Sequence, residues 1–140
     1  MLTVLDKTCT PTKGTRFSAG VDLYSRDTTV IHKDEIVTVN LGVKIDFGYM
    51  VSDPFRFEHY LQLMIRSSLA KNGLFMPNGV GIIDLDYPDE IKIMLCNVEE
   101  RPYTINKGDR IAQIILLPHK TLFLGIDSEV ERRGGFGSTN

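Results

Sequence analysis

Glu35-Ile36-Val37-Thr38-Val39-Asn40-Leu41-Gly42-Val43-Lys44-Ile45-Asp46-Phe47 carries the clearest periodicity in the chain. Val37, Val39, Leu41, Val43, Ile45 and Phe47 are apolar, while Thr38, Asn40, Lys44 and Asp46 lie between them. Alternation over that length predicts a half-buried strand or a bent strand pair, with Gly42 as a bulge or bend. Leu61, Leu63 and Ile65 repeat the pattern, as do Ile91, Ile93 and Leu95. Residues 111–117 form a near-continuous apolar run, suited to a strand buried on both faces. Many short strands joined by Gly, Pro and Asp turns predict an all-β sandwich or barrel-like fold.

One helix interrupts the strands. Ser67-Ser68-Leu69-Ala70-Lys71-Asn72-Gly73 opens on serine, a favoured N-cap, and closes on glycine. Arg66 and the serines stand at its start, where free N–H groups favour an anion. Residues 51–60 contain Pro54, Phe55, Phe57 and Tyr60 and read as an aromatic-rich connection that packs on the core or marks a contact surface.

The totals narrow the function. A chain of 140 residues is one domain, and a formal charge of −2 argues against a sequence-independent nucleic-acid binder, which needs a basic face. No run of about 18 apolar residues predicts a membrane span. The first residues lack a signal-peptide layout. Cys9 and Cys96 are too few for a disulfide framework, and Cys96, in an apolar run, reads as a small buried hydrophobe. His32, His59 and His119 are scattered, with no metal-ligand spacing. These features predict a soluble intracellular protein without a structural metal.

Three stretches carry chemistry. Asn78-Gly79-Val80-Gly81-Ile82-Ile83-Asp84-Leu85-Asp86-Tyr87 holds an amide, two acids and an aromatic ring. Asp84 and Asp86 share a face if a strand runs that far, and Tyr87-Pro88-Asp89 reads as a turn closing a hairpin. Gln113, inside its apolar run, needs a hydrogen-bond partner from the protein or a ligand. The glycine-rich end, Arg132-Arg133-Gly134-Gly135-Phe136-Gly137-Ser138-Thr139-Asn140, cannot hold itself on a core, because glycine loses so much freedom on ordering. It is either a frayed terminus or a lid that orders over a ligand.

Five segments in fixed order, AGVDLYS (19–25), RSSLA (66–70), NGVGIIDLDY (78–87), KGDRIAQIIL (107–116) and GGFGSTN (134–140), closely resemble the five motifs of the homotrimeric dUTP pyrophosphatases, the dUTPases. The resemblance spreads over nearly the whole chain. It implies a distorted jelly-roll-like β-barrel over residues 1–125 and a flexible C-terminal arm over 126–140 that closes on a neighbouring subunit's site. It implies hydrolysis of dUTP to dUMP and pyrophosphate, assisted by Mg²⁺, in the cytoplasm. Such an activity limits uracil in DNA and supplies dUMP for dTTP synthesis. Each site would draw on three subunits, one giving the first, second and fourth motifs, another the third, and another the arm.

The roles implied by the resemblance attach to particular residues. Asp84 matches the acid that deprotonates the attacking water. Asn78, with backbone groups of the hairpin at Gly81 and Ile83, matches the uracil-binding position, and Tyr87 the ring under the deoxyribose. Asp86 has a supporting role. Arg66, Ser67, Ser68 and Gln113 match phosphate ligands. Asp22 matches the carboxylate that meets the Mg²⁺ shell through a water. Phe136, with Gly137, matches the arm's stacking ring, and Ser138 and Thr139 its γ-phosphate contacts. Arg132 or Arg133 takes the arm's phosphate, since the chain is one residue short of the family spacing there. Ser68 stands where the family commonly has glycine, and the family usually continues past the position of Asn140. The 51–60 connection is longer than usual and could serve a protein partner. Two other readings of the same fold are a non-catalytic nucleotide-sensing regulator and a dCTP deaminase relative.

Overall fold

The computed structural model describes residues 1–46, 48 and 52–130. The chain runs through β1 (Leu2–Val4), β2 (Val21–Tyr24), β3 (Thr29–Ile31), β4 (Ile36–Ile45), α1 (Asp53–Glu58), β5 (His59–Ile65), α2 (Ser67–Lys71) and β6 (Leu74–Phe75). It continues through β7 (Gly81–Asp84), β8 (Glu90–Asn97), β9 (Tyr103–Ile105) and β10 (Arg110–Pro118). Two antiparallel four-stranded sheets form, in the orders β1-β4-β8-β6 and β2-β10-β5-β7, with β3 and β9 as a separate ribbon. Side chains from all three sets, among them Val39, Ile93, Leu23, Leu63, Ile31 and Ile105, share one core. The architecture is the expected all-β, jelly-roll-like wrapping.

The periodic stretch is β4, and its inward row Val39, Leu41, Val43 and Ile45 is buried. Gly42 breaks its register with β8, where Asn40 faces Lys92 but Lys44 faces Glu90. Two constraints meet at Gly42. Its φ is +66°, and a Cβ there would stand 2.5 Å from Cys9 Cβ. The bulge also exposes backbone groups to new partners: Gly42 N–H donates to Glu90 Oε1 at 2.9 Å, and its carbonyl accepts from Leu5 N–H at 2.7 Å. Phe47, the last apolar residue of the row, lies outside the described residues.

Four expectations are corrected. Residues 53–58 are helical rather than a loop, so α2 is not the one short helix. Ser52 caps α1 by accepting the Phe55 N–H, Asp53 and Pro54 open it, and Phe55 stacks on His59 at 3.9 Å between ring centroids. The serine, aspartate and proline form a readable helix start, masked by the aromatic content. At α2 the cap is Arg66, with no side-chain cap bond, and Ser67 is already inside the helix. Strand β10 is buried only as far as Ile114, and Leu116 is 41 % exposed. Finally, β7 and β8 do not pair: β7 lies on β5 in one sheet, β8 between β4 and β6 in the other. The Asp84–Tyr87 turn therefore carries the chain between sheets rather than closing a hairpin. Strand β7 also ends at Asp84, so Asp84 and Asp86 do not share a strand face.

Candidate active site

Strand β10 organises the site because it lies between β2 and β5. Gln113 faces Asp22 on one side and Met64 on the other. Directly paired residues of antiparallel strands project from the same face, so Asp22 and Gln113 emerge together. Beyond Ile65 the chain leaves the sheet at Arg66, whose N–H donates to Ile111 O at 3.1 Å. Buried Ser25 fixes the other end of β2: its N–H donates to Asp109 O at 2.8 Å, and its carbonyl accepts from Gly108 N–H at 2.7 Å. These bonds hold the first, second and fourth motifs around one cleft of about 430 Å³.

Asp22, Arg66, Ser67, Arg110 and Gln113 line that cleft. Arg66 Nε lies 3.2 Å from Asp22 Oδ1, and Arg110 Nη1 lies 3.5 Å from Oδ2. Gly20 forms the wall beside Gln113, where a Cβ would collide with the Gln113 Oε1. Thus the amide predicted to need a partner presses on a bare backbone and points to the cleft. Ser68 is exposed on α2 but does not line the cleft.

The third motif lies elsewhere on the same chain. Gly81 pairs with Leu63, Ile83 with Leu61 and Asp84 with Tyr60, all on β7 at the far edge of the sheet from β2. Three strand spacings put β7 about 14 Å from β2, and the step from Met64 to Tyr60 adds about 13 Å along β5. Asn78, Asp84 and Asp86 are exposed. Tyr87 is not: it is 7 % exposed in the core, with its hydroxyl donating to Glu90 O at 3.4 Å. Arg132, Phe136, Gly137, Ser138 and Thr139 lie outside the described residues.

Comparison with known proteins identifies the family. Residues 6–140 match the family model of the dUTPases. The deoxyuridine 5'-triphosphate nucleotidohydrolase of Ehrlichia canis is 40 % identical over 136 residues, covering 92 % of this chain and 85 % of that protein. The chain belongs to the dUTPase family. The crystal structure of a dUTPase from Streptococcus mutans superposes with a TM-score of 0.68 at 30 % identity, covering 82 % of this chain and 89 % of that one. A mutant dUTPase from phage phi11 of S. aureus, described with a structural Mg(II) ion, shares the fold at a TM-score of 0.69 and 20 % identity, covering 99 % and 98 %.

One cleft residue of this dUTPase escapes the sequence reading. Arg110 stands in the fourth motif without a role. By simple alternation from Gln113 it belongs on the opposite, core-facing side of β10. A register irregularity between Arg110 and Ala112 changes that: Ile111 and Ala112 are both buried, and Arg110 turns out to the cleft. Bulges re-aim side chains without a reliable local signal in a single sequence. Among the described residues no three His, Cys, Asp or Glu side chains gather to cage a metal, and Asp22 is the carboxylate that lines the cleft. No described helix is long and apolar enough to cross a membrane.

Proposed function

We propose that this dUTPase hydrolyses dUTP to dUMP and pyrophosphate by attack of water on the α-phosphorus, in sites assembled from three copies of the chain. One copy supplies the cleft, where Arg66, Ser67 and Gln113 hold the phosphates, with the Ser68 backbone beside it at the start of α2. A second supplies Asp84 as the general base, within hydrogen-bond reach of the attacking water. The same copy supplies Asn78 with the backbone at Gly81 and Ile83 for the uracil, Tyr87 for the sugar and Asp86 in support. The third supplies the arm over 126–140, with Arg132, Phe136, Gly137, Ser138 and Thr139 closing over the nucleotide. Closure would exclude bulk water and fix the phosphates for in-line attack.

The observation that carries this reading is the distance between the cleft and Asp84. A single chain puts Asp22 on β2 and Gln113 on β10 level with Met64, while Asp84 ends β7 at the far edge of the sheet, level with Tyr60, too far apart for one nucleotide to bridge at the reacting atoms. A second copy is the economical source of the missing acid. Exposed apolar residues support this: Leu116 on β10, and Leu122, Phe123 and Ile126 beyond it, lie uncovered in the isolated chain. Beyond Gly125 the described chain has no regular element, which suits an arm.

The donor set also fits Mg²⁺. A lone carboxylate suits an ion that keeps most of its water shell and is held chiefly by phosphate oxygens. When bound with substrate, the ion would supply charge neutralisation at the phosphates. Free Cys9 and Cys96 suit a reducing cytoplasm.

The test is pyrophosphate release. Asp84→Asn should lose turnover of dUTP by at least about 10³-fold, since a positioned base and its water act together, while a non-hydrolysable analogue still binds. Ammonia release from dCTP, or turnover undiminished in Asp84→Asn, would reject the assignment.

A further inference from the structure

Three charged groups, Asp22, Arg66 and Arg110, meet in the cleft. Asp22 faces two guanidinium groups, Arg66 at 3.2 Å and Arg110 at 3.5 Å. The Asp22 side chain is 13 % exposed, Arg66 28 % and Arg110 47 %. Arg110 is therefore the outermost cation of the set, placed there by the β10 bulge. Two guanidiniums and one carboxylate leave a net positive charge there, beside a serine hydroxyl and a glutamine amide. Guanidinium forks match phosphate oxygens in shape and charge, and a polyphosphate offers several such oxygens at once. Yet both forks are turned to the same carboxylate. A polyphosphate lying across Arg66 and Arg110 must compete with Asp22 for their N–H groups, and it meets the carboxylate's own repulsion at close range.

We propose that Arg110 is a second phosphate-binding residue and that Asp22 is an internal counter-ion, displaced from Arg66 and Arg110 by the substrate's phosphates. This rests on the assignment of the cleft as the phosphate half of the dUTP site. The displaced carboxylate ends beside the polyphosphate, where two anions call for a cation between them. Asp22 thus opposes binding when no divalent ion is present and favours it when one is. The exchange ties the metal requirement of binding to a pre-formed ion pair.

Calorimetric titration of the full chain with the α,β-imido analogue of dUTP, in EDTA and in excess Mg²⁺, tests the exchange. Deoxyuridine, which has no phosphate, serves as the control. Asp22→Asn should bind the analogue about 10-fold more tightly in EDTA, because a competing anion is gone. Its ratio of affinities with and without Mg²⁺ should fall towards one. Arg110→Gln should bind the analogue about 10-fold or more weakly under both conditions, the loss of a charge-assisted hydrogen bond. Deoxyuridine affinity should not change in either variant. Should Arg110→Gln fail to fold, Arg110→Lys, which keeps the charge and loses the fork, takes its place with a few-fold loss expected. Unchanged or weaker analogue binding by Asp22→Asn in EDTA, or wild-type affinity in the Arg110 variant, overturns the exchange and leaves the dUTP site standing. Failure of the wild-type protein to bind the analogue at all overturns both.

Discussion

Gly20 and Gln113 show how much of this site depends on single side chains. Gln113 is a half-buried polar residue between buried Ala112 and Ile114 on β10, and its Oε1 sits where a Gly20 Cβ would project. Gly20→Ala must therefore push the amide aside while leaving the strand pairing intact. The expected result is a fall in kcat/KM for dUTP of roughly 10- to 100-fold, the scale of an ångström-sized misplacement, with a melting temperature close to wild type. Steady-state kinetics beside a thermal melt would check it, and a large loss of stability would contradict the local account. Tyr87 is the contrasting case. Its burial means that truncation disturbs the core as well as any sugar contact, at a cost of about 3–5 kcal/mol for a large aromatic. A selectivity measurement at that position must be read beside a stability measurement.

At the scale of elements, the bulges in β4 and β10 do more than the regular stretches around them. The β4 bulge turns Gly42 towards Cys9 and gives Glu90 a backbone N–H to accept. Gly42→Ala places a methyl against Cys9 in a left-handed conformation, and should cost about 2 kcal/mol or more, visible as a lower urea midpoint. Burial pushes the thiol pKa of Cys9 up, in keeping with its packing role. The N-terminal segment is pinned beside this bulge by Asp6. Hydrogen bonds from the Thr8 hydroxyl and N–H, then from Lys107, hold the Asp6 carboxyl well below the usual carboxylate range. A folded-state pKa below the unfolded one stabilises the fold at neutral pH, and that contribution fades as pH falls through the depressed value. Asp6→Asn should therefore be less stable than wild type at pH 7, with a difference that shrinks once pH drops below about 4. Urea midpoints at neutral and acid pH would check the sign.

For the whole molecule, the question is which surfaces other copies cover. Phe123 is 86 % exposed, and the neighbouring Leu122 and Leu124 are also open to solvent. If residues 126–140 act as an arm over a neighbouring site, removing 134–140 should cripple turnover, because closure is lost, yet leave the oligomer and its melting temperature nearly unchanged. Sedimentation and a dUTP assay on the truncated chain would decide it. Dissociation to monomers would mean that the tail holds the assembly together rather than covering the nucleotide.

The polar residue types that line the cleft, and the strand pattern that carries them, are legible in the sequence. Alternation is local, so Val39, Leu41 and Val43 announce a strand without help from the rest of the chain. Five short motifs in order announce the family. The tertiary structure alone decides which of those residues meet. Asp22 and Gln113 are neighbours because β2 pairs with β10, and Asp84 is remote from both because β7 lies at the other edge of that sheet. The bulge that brings Arg110 to the cleft likewise escapes the pattern reading, whereas the helix over 53–58 has a readable start in Ser52, Asp53 and Pro54. Strand order and register are set by long-range burial of one shared core, a property of the folded whole that no local run of residues contains.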